Sequence, residues 1–159
     1  MPRYSERMTD SAPRPGRVLV LNGPNLNRLG TREPDVYGTG TLDDLRAELA
    51  TAAPAGVVLE LRQTNDEAEL IAWLHEAVDT GSAVILNPAA FTHYSYALRD
   101  AAALVTTVGL TLIEVHLSNP HSREEFRHTS VISGIATGVI AGFGFGSYRL
   151  ALARITGAL

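Results

Sequence analysis

Cysteine and lysine are both missing from this 159-residue chain. Without cysteine there is no disulfide scaffold, no thiol nucleophile and no thiolate metal site. The Lys+Arg count of 13 is met entirely by arginine, at positions 3, 7, 14, 17, 28, 32, 46, 62, 99, 123, 127, 149 and 154. Schiff-base chemistry on an amine and a Walker-type phosphate lysine are therefore excluded. Long hydrophobic runs are lacking too, since none approaches the roughly 20 apolar residues of a membrane span. A formal net charge of -4 gives no chain-wide attraction to nucleic acid or to an anionic membrane, so an anionic ligand has to meet a local arginine cluster. The expectation is a cytoplasmic protein with a small-molecule partner, no nucleic acid and no membrane.

What is present suits a folded domain: 45% of residues are hydrophobic and 19% charged, too apolar for a disordered chain. Residues 1–16, MPRYSERMTDSAPRPG, hold proline and charge without an apolar stretch, so they are neither a signal peptide nor an anchor and are expected to form a flexible tail. The remainder, 17–159, is of a size for one domain. Five short β-branched or apolar runs read as strands: VLVLN at 18–22, VVLEL at 57–61, AVILN at 83–87, LIEVHL at 112–117 and TGVIAG at 137–142. Helical patterns fall between them, over Thr41 to Ala53 with Thr41 as cap, Asp66 to Val78 before Gly81, His93 to Leu104, and about Ser147 to Ile155. Strand and helix in alternation predict an α/β protein with a parallel sheet and helices on both faces.

In such a sheet ligands gather beyond the carboxyl ends of the strands, where strand order reverses. The segments leaving the first, third and fourth strands hold nearly all the unusual polar residues: NGPNLNRLGTREPDVYG, NPAAFTHYSYALRD and HLSNPHSREEFRH. RQTND, after the second strand, is ordinary beside them. A flavodoxin-like order of 2-1-3-4-5 brings the three segments to one cleft.

The first loop, 22–40, exceeds the roughly 2 to 6 residues of a usual connection, which marks it as a lid or binding loop. It carries Asn25, Arg28, Arg32 and Tyr37. A tyrosine is a poor base at its free pKa of about 10, but a neighbouring guanidinium favours the phenolate. Tyr37 is thus either a general base beside Arg32 and Arg28 or a loop anchor. Glu114 and His116, two apart on a strand, project from one face, and the carboxylate can orient the imidazole as a proton donor. Leu117 and Ser118 follow with backbone N–H groups that can meet a carboxylate or oxyanion. Asn87 and His93 offer directional hydrogen bonds to a polyhydroxylated ligand, with turn formation and capping as the alternative. Arg123 and Arg127, four apart, can clamp a carboxylate together or pair with Glu124 and Glu125. His75, His121 and His128 are given no role. GFGFG at 142–146 lacks the GxGxxG spacing and reads as a close-packed turn, and no metal-ligand spacing of the HExxH kind is present.

Taken together, the three loops, with IATGVIAGFG after the last of them, resemble the type II 3-dehydroquinate dehydratases from about Arg17 to the terminal helix. The resemblance implies a flavodoxin-like, doubly wound five-stranded parallel sheet in a three-layer α/β/α arrangement. It also implies anti elimination of water from 3-dehydroquinate, through an enolate, to 3-dehydroshikimate in the shikimate pathway, with no metal or organic cofactor. Carried over, Tyr37 removes the C2 proton, Arg32 favours its phenolate, His116 protonates the departing C1 hydroxyl with Glu114 as its partner, and Asn25 positions a water and the enolate oxygen. Asn87, His93, Asp100, the Leu117 and Ser118 amides and Arg127 hold the substrate. The family is further expected to assemble as a homododecamer, a tetramer of trimers, in which Asp100 reaches a neighbouring subunit's site. The chain departs from the family pattern at PAAF, residues 88–91, where glycine is frequent. The absence of lysine agrees with the resemblance, because the unrelated type I enzymes use a lysine Schiff base.

Overall fold

The computed structural model describes residues 16–159, so the tail expected over 1–16 lies, apart from Gly16, outside the described residues. Strand β1 (Arg17–Asn22) has β2 (Val58–Gln63) on one side and β3 (Ala83–Asn87) on the other, followed by β4 (Leu112–His116) and β5 (Gly138–Ala141). All four pairings are parallel, in the order β2-β1-β3-β4-β5. This is the doubly wound order expected from the sequence, with its switch point between β1 and β3.

Side chains of the inner strands alternate between two cores, as a period of two requires. Val18, Val20, Ile85, Ile113 and Val115 pack with Leu45 and Leu49 of α2 (Leu42–Ala52) and with Tyr148 and Leu152 of α5 (Phe145–Thr156). Leu19, Leu21, Val84, Leu86 and Leu112 pack with Leu70 and Leu74 of α3 (Glu67–Thr80) and Leu98 and Val105 of α4 (Tyr96–Thr107). The three-layer α/β/α arrangement follows from burying both faces, each large apolar side chain contributing about 1.5–3 kcal/mol.

The helix boundaries answer to their caps. Thr41 accepts from the Asp44 amide while the Asp44 carboxylate accepts from the Thr41 amide, a reciprocal cap that starts α2. α3 runs to Thr80, past the expected Val78, and stops where Gly81 takes a left-handed φ of 67°. The start expected for α4 at His93 is corrected to Tyr96. Pro88 leads instead into a 3-10 turn, Ala89–His93, and the Ser95 side chain accepts from the Leu98 amide to begin the helix proper. α5 starts at Phe145, two residues before the expected Ser147, so GFGFG is a turn entering a helix.

A one-turn helix, α1 (Pro34–Tyr37), lies within the long first loop and ends on Tyr37. Gly23 lets that loop leave β1 against β3. Its amide donates to the Asn87 carbonyl at 2.8 Å, and a Cβ there would stand 2.6 Å from the Pro88 carbonyl oxygen.

Candidate active site

At the carboxyl ends of β1, β3 and β4 opens a cleft of about 180 Å³. Its wall includes Asn25, Arg32, Tyr37, Asn87, His93, His116, Leu117, Ser118, Arg123 and Arg127. Three segments far apart in sequence meet there because their parent strands lie near one another in the sheet. Of the residues carried over from the resemblance, two do not line it. Glu114 sits behind His116 at 0% exposure. The Asp100 side chain, on α4, is 81% exposed, with the Arg99 guanidinium 3.6 Å away as its ion-pair partner.

A carboxylate with no exposure must be compensated by donors, and Glu114 has them. His116 Nε2 is 2.7 Å from Oε1, and the Thr92 and Ser133 hydroxyls donate to Oε1 and Oε2 at 2.5 Å each. Thr92 has one hydroxyl hydrogen, so in its 2.6 Å contact with Ser130 the serine is the donor. Ser130 Oγ in turn accepts from the amides of Ile132 and Ser133 at 3.1 and 2.9 Å. Burial alone would push the Glu114 carboxyl up, but the imidazole and the hydroxyls together hold it below the ordinary carboxylate range. An ionised Glu114 takes the Nε2 hydrogen of His116 and leaves Nδ1 as the nitrogen available to a ligand.

In the same cleft, Tyr37 is flanked by two arginines. The Arg32 guanidinium lies 5.6 Å and that of Arg123 5.2 Å from the phenol ring centre. Arg123 also donates to the Tyr37 hydroxyl oxygen at 2.7 Å. Arg28, nearer to Tyr37 in sequence, is exposed and does not line the cleft, whereas Arg123 and Arg127 both do. Of the two readings of Arg127, the pairing with Glu124 is seen, at 2.7 Å, and its guanidinium lies 4.6 Å from the Phe126 ring centre. The Arg123–Tyr37 contact spans 86 positions, and no local spacing signals it.

The remaining polar residues are held by short bonds of their own. His93 Nδ1 contacts the Thr129 carbonyl at 2.8 Å. Asn25 donates its amide to Asn65 Oδ1 at 2.9 Å, and Gln63 Nε2 reaches the Gly23 carbonyl at 3.2 Å. The segment after β2, ordinary by sequence, thus braces the first loop. Asn87 donates to the Tyr148 hydroxyl at 2.8 Å, and its Oδ1 accepts from the Ala89 amide at 3.1 Å. Burial pushes the Tyr148 phenol well above its ordinary range, so that hydroxyl stays protonated.

Backbone strain gathers at the same place. Among the described residues the non-glycine positions with positive φ are Asn25 at 69°, Glu33 at 40° and Ala89 at 50°. Asn25 and Ala89 line the cleft, and Glu33 caps the helix that carries Tyr37. Asparagine tolerates this region, whereas glutamate and alanine are held there at a cost, a pattern typical of functional sites. Ala89 lies in the PAAF segment after β3, and its φ is one that glycine adopts without cost.

An imidazole backed by a buried carboxylate and a phenol set among guanidiniums line the same cleft, a pairing that can take a proton at one group and give one at the other. Fold and site together define a class: a flavodoxin-like α/β enzyme for acid–base chemistry on a small polar substrate. Within that class the chain belongs to the class II dehydroquinase family, whose model matches residues 16–156. It is 60% identical over 138 residues to a 3-dehydroquinate dehydratase of Salinispora tropica, covering 86% of this chain and 94% of that one. A second 3-dehydroquinate dehydratase, from Bacillus licheniformis, is 58% identical over 137 residues, covering 85% and 92%. The crystal structure of type II dehydroquinase from Propionibacterium acnes superposes with a TM-score of 0.84 at 46% identity, over 91% of this chain and 99% of that one.

Proposed function

We infer that this chain dehydrates 3-dehydroquinate to 3-dehydroshikimate, the lyase step of the shikimate pathway. The observation that carries the reading is near-complete coverage of relatives of that activity at 60% identity, joined to a cleft lined by both an acid and a base.

In the mechanism we propose, Tyr37 takes the C2 proton and the C2–H electron pair passes into an enolate on the substrate carbonyl. Collapse of the enolate forms the C1–C2 double bond and expels the C1 hydroxyl, which leaves as water with a proton from His116. Positive charge at the Tyr37 oxygen is what a phenolate base needs, and Arg123 supplies it by direct contact, with Arg32 against the ring. Glu114 fixes the His116 ring and balances its charge as an imidazolium. Asn25 positions a water and the enolate oxygen, while Asn87, His93, Arg127 and the Leu117 and Ser118 amides hold the hydroxyls and carboxylate.

Residues 17–159 act as one catalytic domain in this reading. The outward position of Asp100, away from its own cleft, suits a residue that completes the site of a neighbouring subunit, as a tetramer of trimers would allow. A net charge of -4 favours a small-molecule partner over nucleic acid. No helix among the described residues is long and apolar enough to cross a membrane, which accords with cytoplasmic work.

The test is to mix EDTA-treated protein with 3-dehydroquinate and follow the ultraviolet absorbance of the conjugated enone, with Tyr37→Phe alongside. Enone from the wild type alone is the expected result. Binding without enone from either protein would mean a ligand-binding relative that has lost turnover, and equal turnover in both would displace Tyr37 as the base.

A further inference from the structure

We propose that Tyr148, behind the cleft on α5, is a positioning residue that sets which way the Asn87 carboxamide faces, through a directional hydrogen-bond relay anchored on Asn22. The inference rests on the reading of Asn87 as a substrate-binding residue.

Asn22 and Asn87 end neighbouring strands and stand opposite each other in the β1–β3 register. Both are buried, at 0% and 3% exposure, and Tyr148, at 0%, reaches between them from α5. Its hydroxyl donates to Asn22 Oδ1 at 2.7 Å and accepts from Asn87 Nδ2 at 2.8 Å. The direction is forced from the Asn22 end, and the Ala89 amide, which can only donate, calls for the same orientation of Asn87. Asn22 Nδ2 donates to the Arg62 carbonyl at 3.1 Å, and a main-chain carbonyl can only accept. Asn22 must therefore show its oxygen to Tyr148, which spends its single hydrogen there and can only accept from Asn87. Asn87 then has its amino group inward and its Oδ1 on the Ala89 amide at 3.1 Å. Among the described residues its second amide hydrogen has no protein acceptor, so Asn87 offers a donor to whatever fills the cleft it lines. Turned over, the same side chain would lose its bonds to Tyr148 and Ala89 and release the strained Ala89 backbone.

Tyr148 and Asn22 do not line the cleft, so a purely structural role for them predicts lower melting temperature and unchanged kinetics. The relay predicts more. Tyr148→Phe keeps the ring and removes the hydroxyl. Asn22→Leu removes the acceptor, so the Tyr148 hydrogen swings towards Asn87 and favours its turned-over form. Each variant is expected to raise KM for 3-dehydroquinate about threefold to tenfold, the loss of one neutral hydrogen bond, with kcat within about twofold. Because both act through one amide, the double variant is expected to raise KM no further than the larger single effect.

Unchanged KM in a folded Asn22→Leu, or additive effects in the double variant, would overturn the relay. Should Tyr148→Phe fail to fold, Asn22→Leu carries the test from the other end. Asn87→Ala separates this proposal from the reading beneath it. If Asn87→Ala leaves KM unchanged, the substrate-binding role fails and the relay falls with it, whereas a raised KM in Asn87→Ala with none in the relay variants sinks the relay alone.

Discussion

Glu114 and His116 stand two residues apart on one strand and touch at 2.7 Å, whereas Tyr37 takes its 2.7 Å bond from Arg123, 86 positions away. The acid side of the cleft is built into β4 and sealed by hydroxyls at 2.5 Å. The base side rides on a largely exposed one-turn helix in a long loop, with Tyr37 its one half-buried residue, entered through the positive-φ Glu33. In the proposed mechanism the proton donor is thus held on a strand and the base is carried by a loop.

The largest effects should come from removing either reacting group. Tyr37→Phe and His116→Ala are each expected to lower kcat by about 10²- to 10⁴-fold, as general acid–base catalysts do, with the circular dichroism spectrum retained. Equal and complete loss of fold in both would erase the contrast between a built-in acid and a loop-borne base.

Next comes Arg123→Ala, which removes the charged donor at the phenol. Losing a hydrogen bond to a charged group, about 1.5–3 kcal/mol, should cost roughly 10- to 100-fold in kcat, whereas Arg28→Ala should leave kcat near wild type. The reverse ranking would restore the simpler expectation that near neighbours in sequence tune Tyr37.

The acid side should respond in stability. Ser133→Ala takes a hydroxyl from ionised Glu114, at about 1.5–3 kcal/mol for a charge-assisted bond. The sign follows from the lowered Glu114 carboxyl: its stabilisation is full above the ordinary value of 4.5 and is lost as pH falls through the lower folded value. Denaturant titrations should therefore show the gap between wild type and Ser133→Ala at pH 7 narrowing below pH 4.5. A gap independent of pH would mean that the serine acts by packing alone.

The smallest effect sharpens the comparison on the cleft wall. Ala89 sits at φ 50°, and glycine there should relieve about 1–2 kcal/mol of left-handed strain while adding about 0.5–1 kcal/mol of unfolded-chain entropy. A slightly higher melting temperature is expected for Ala89→Gly. A clear drop would show that the methyl group's packing outweighs the strain.

The same contrast governs how far the sequence could be read. AVILN became β3 at its stated residues, and the i, i+2 placement of Glu114 and His116 became a bond, because a strand's period fixes its neighbours. Thr41 announced its helix through a local cap. Arg123 on Tyr37, Asn65 under Asn25, and Tyr148 between two asparagines were not legible, since each joins segments that only the finished sheet brings together. The α4 boundary slipped for a nearer reason. The 3-10 turn after Pro88 imitates the start of a helix until Ser95 supplies the real cap.

The most direct test of a base and an acid working in separate steps is exchange of the substrate C2 hydrogen with D2O, followed by proton NMR. His116→Ala should still exchange that hydrogen while releasing almost no enone, because Tyr37 can form the enolate without an acid to expel the hydroxyl, and Tyr37→Phe should do neither. Exchange that survives in Tyr37→Phe and vanishes in His116→Ala would contradict the assignment of the two sides.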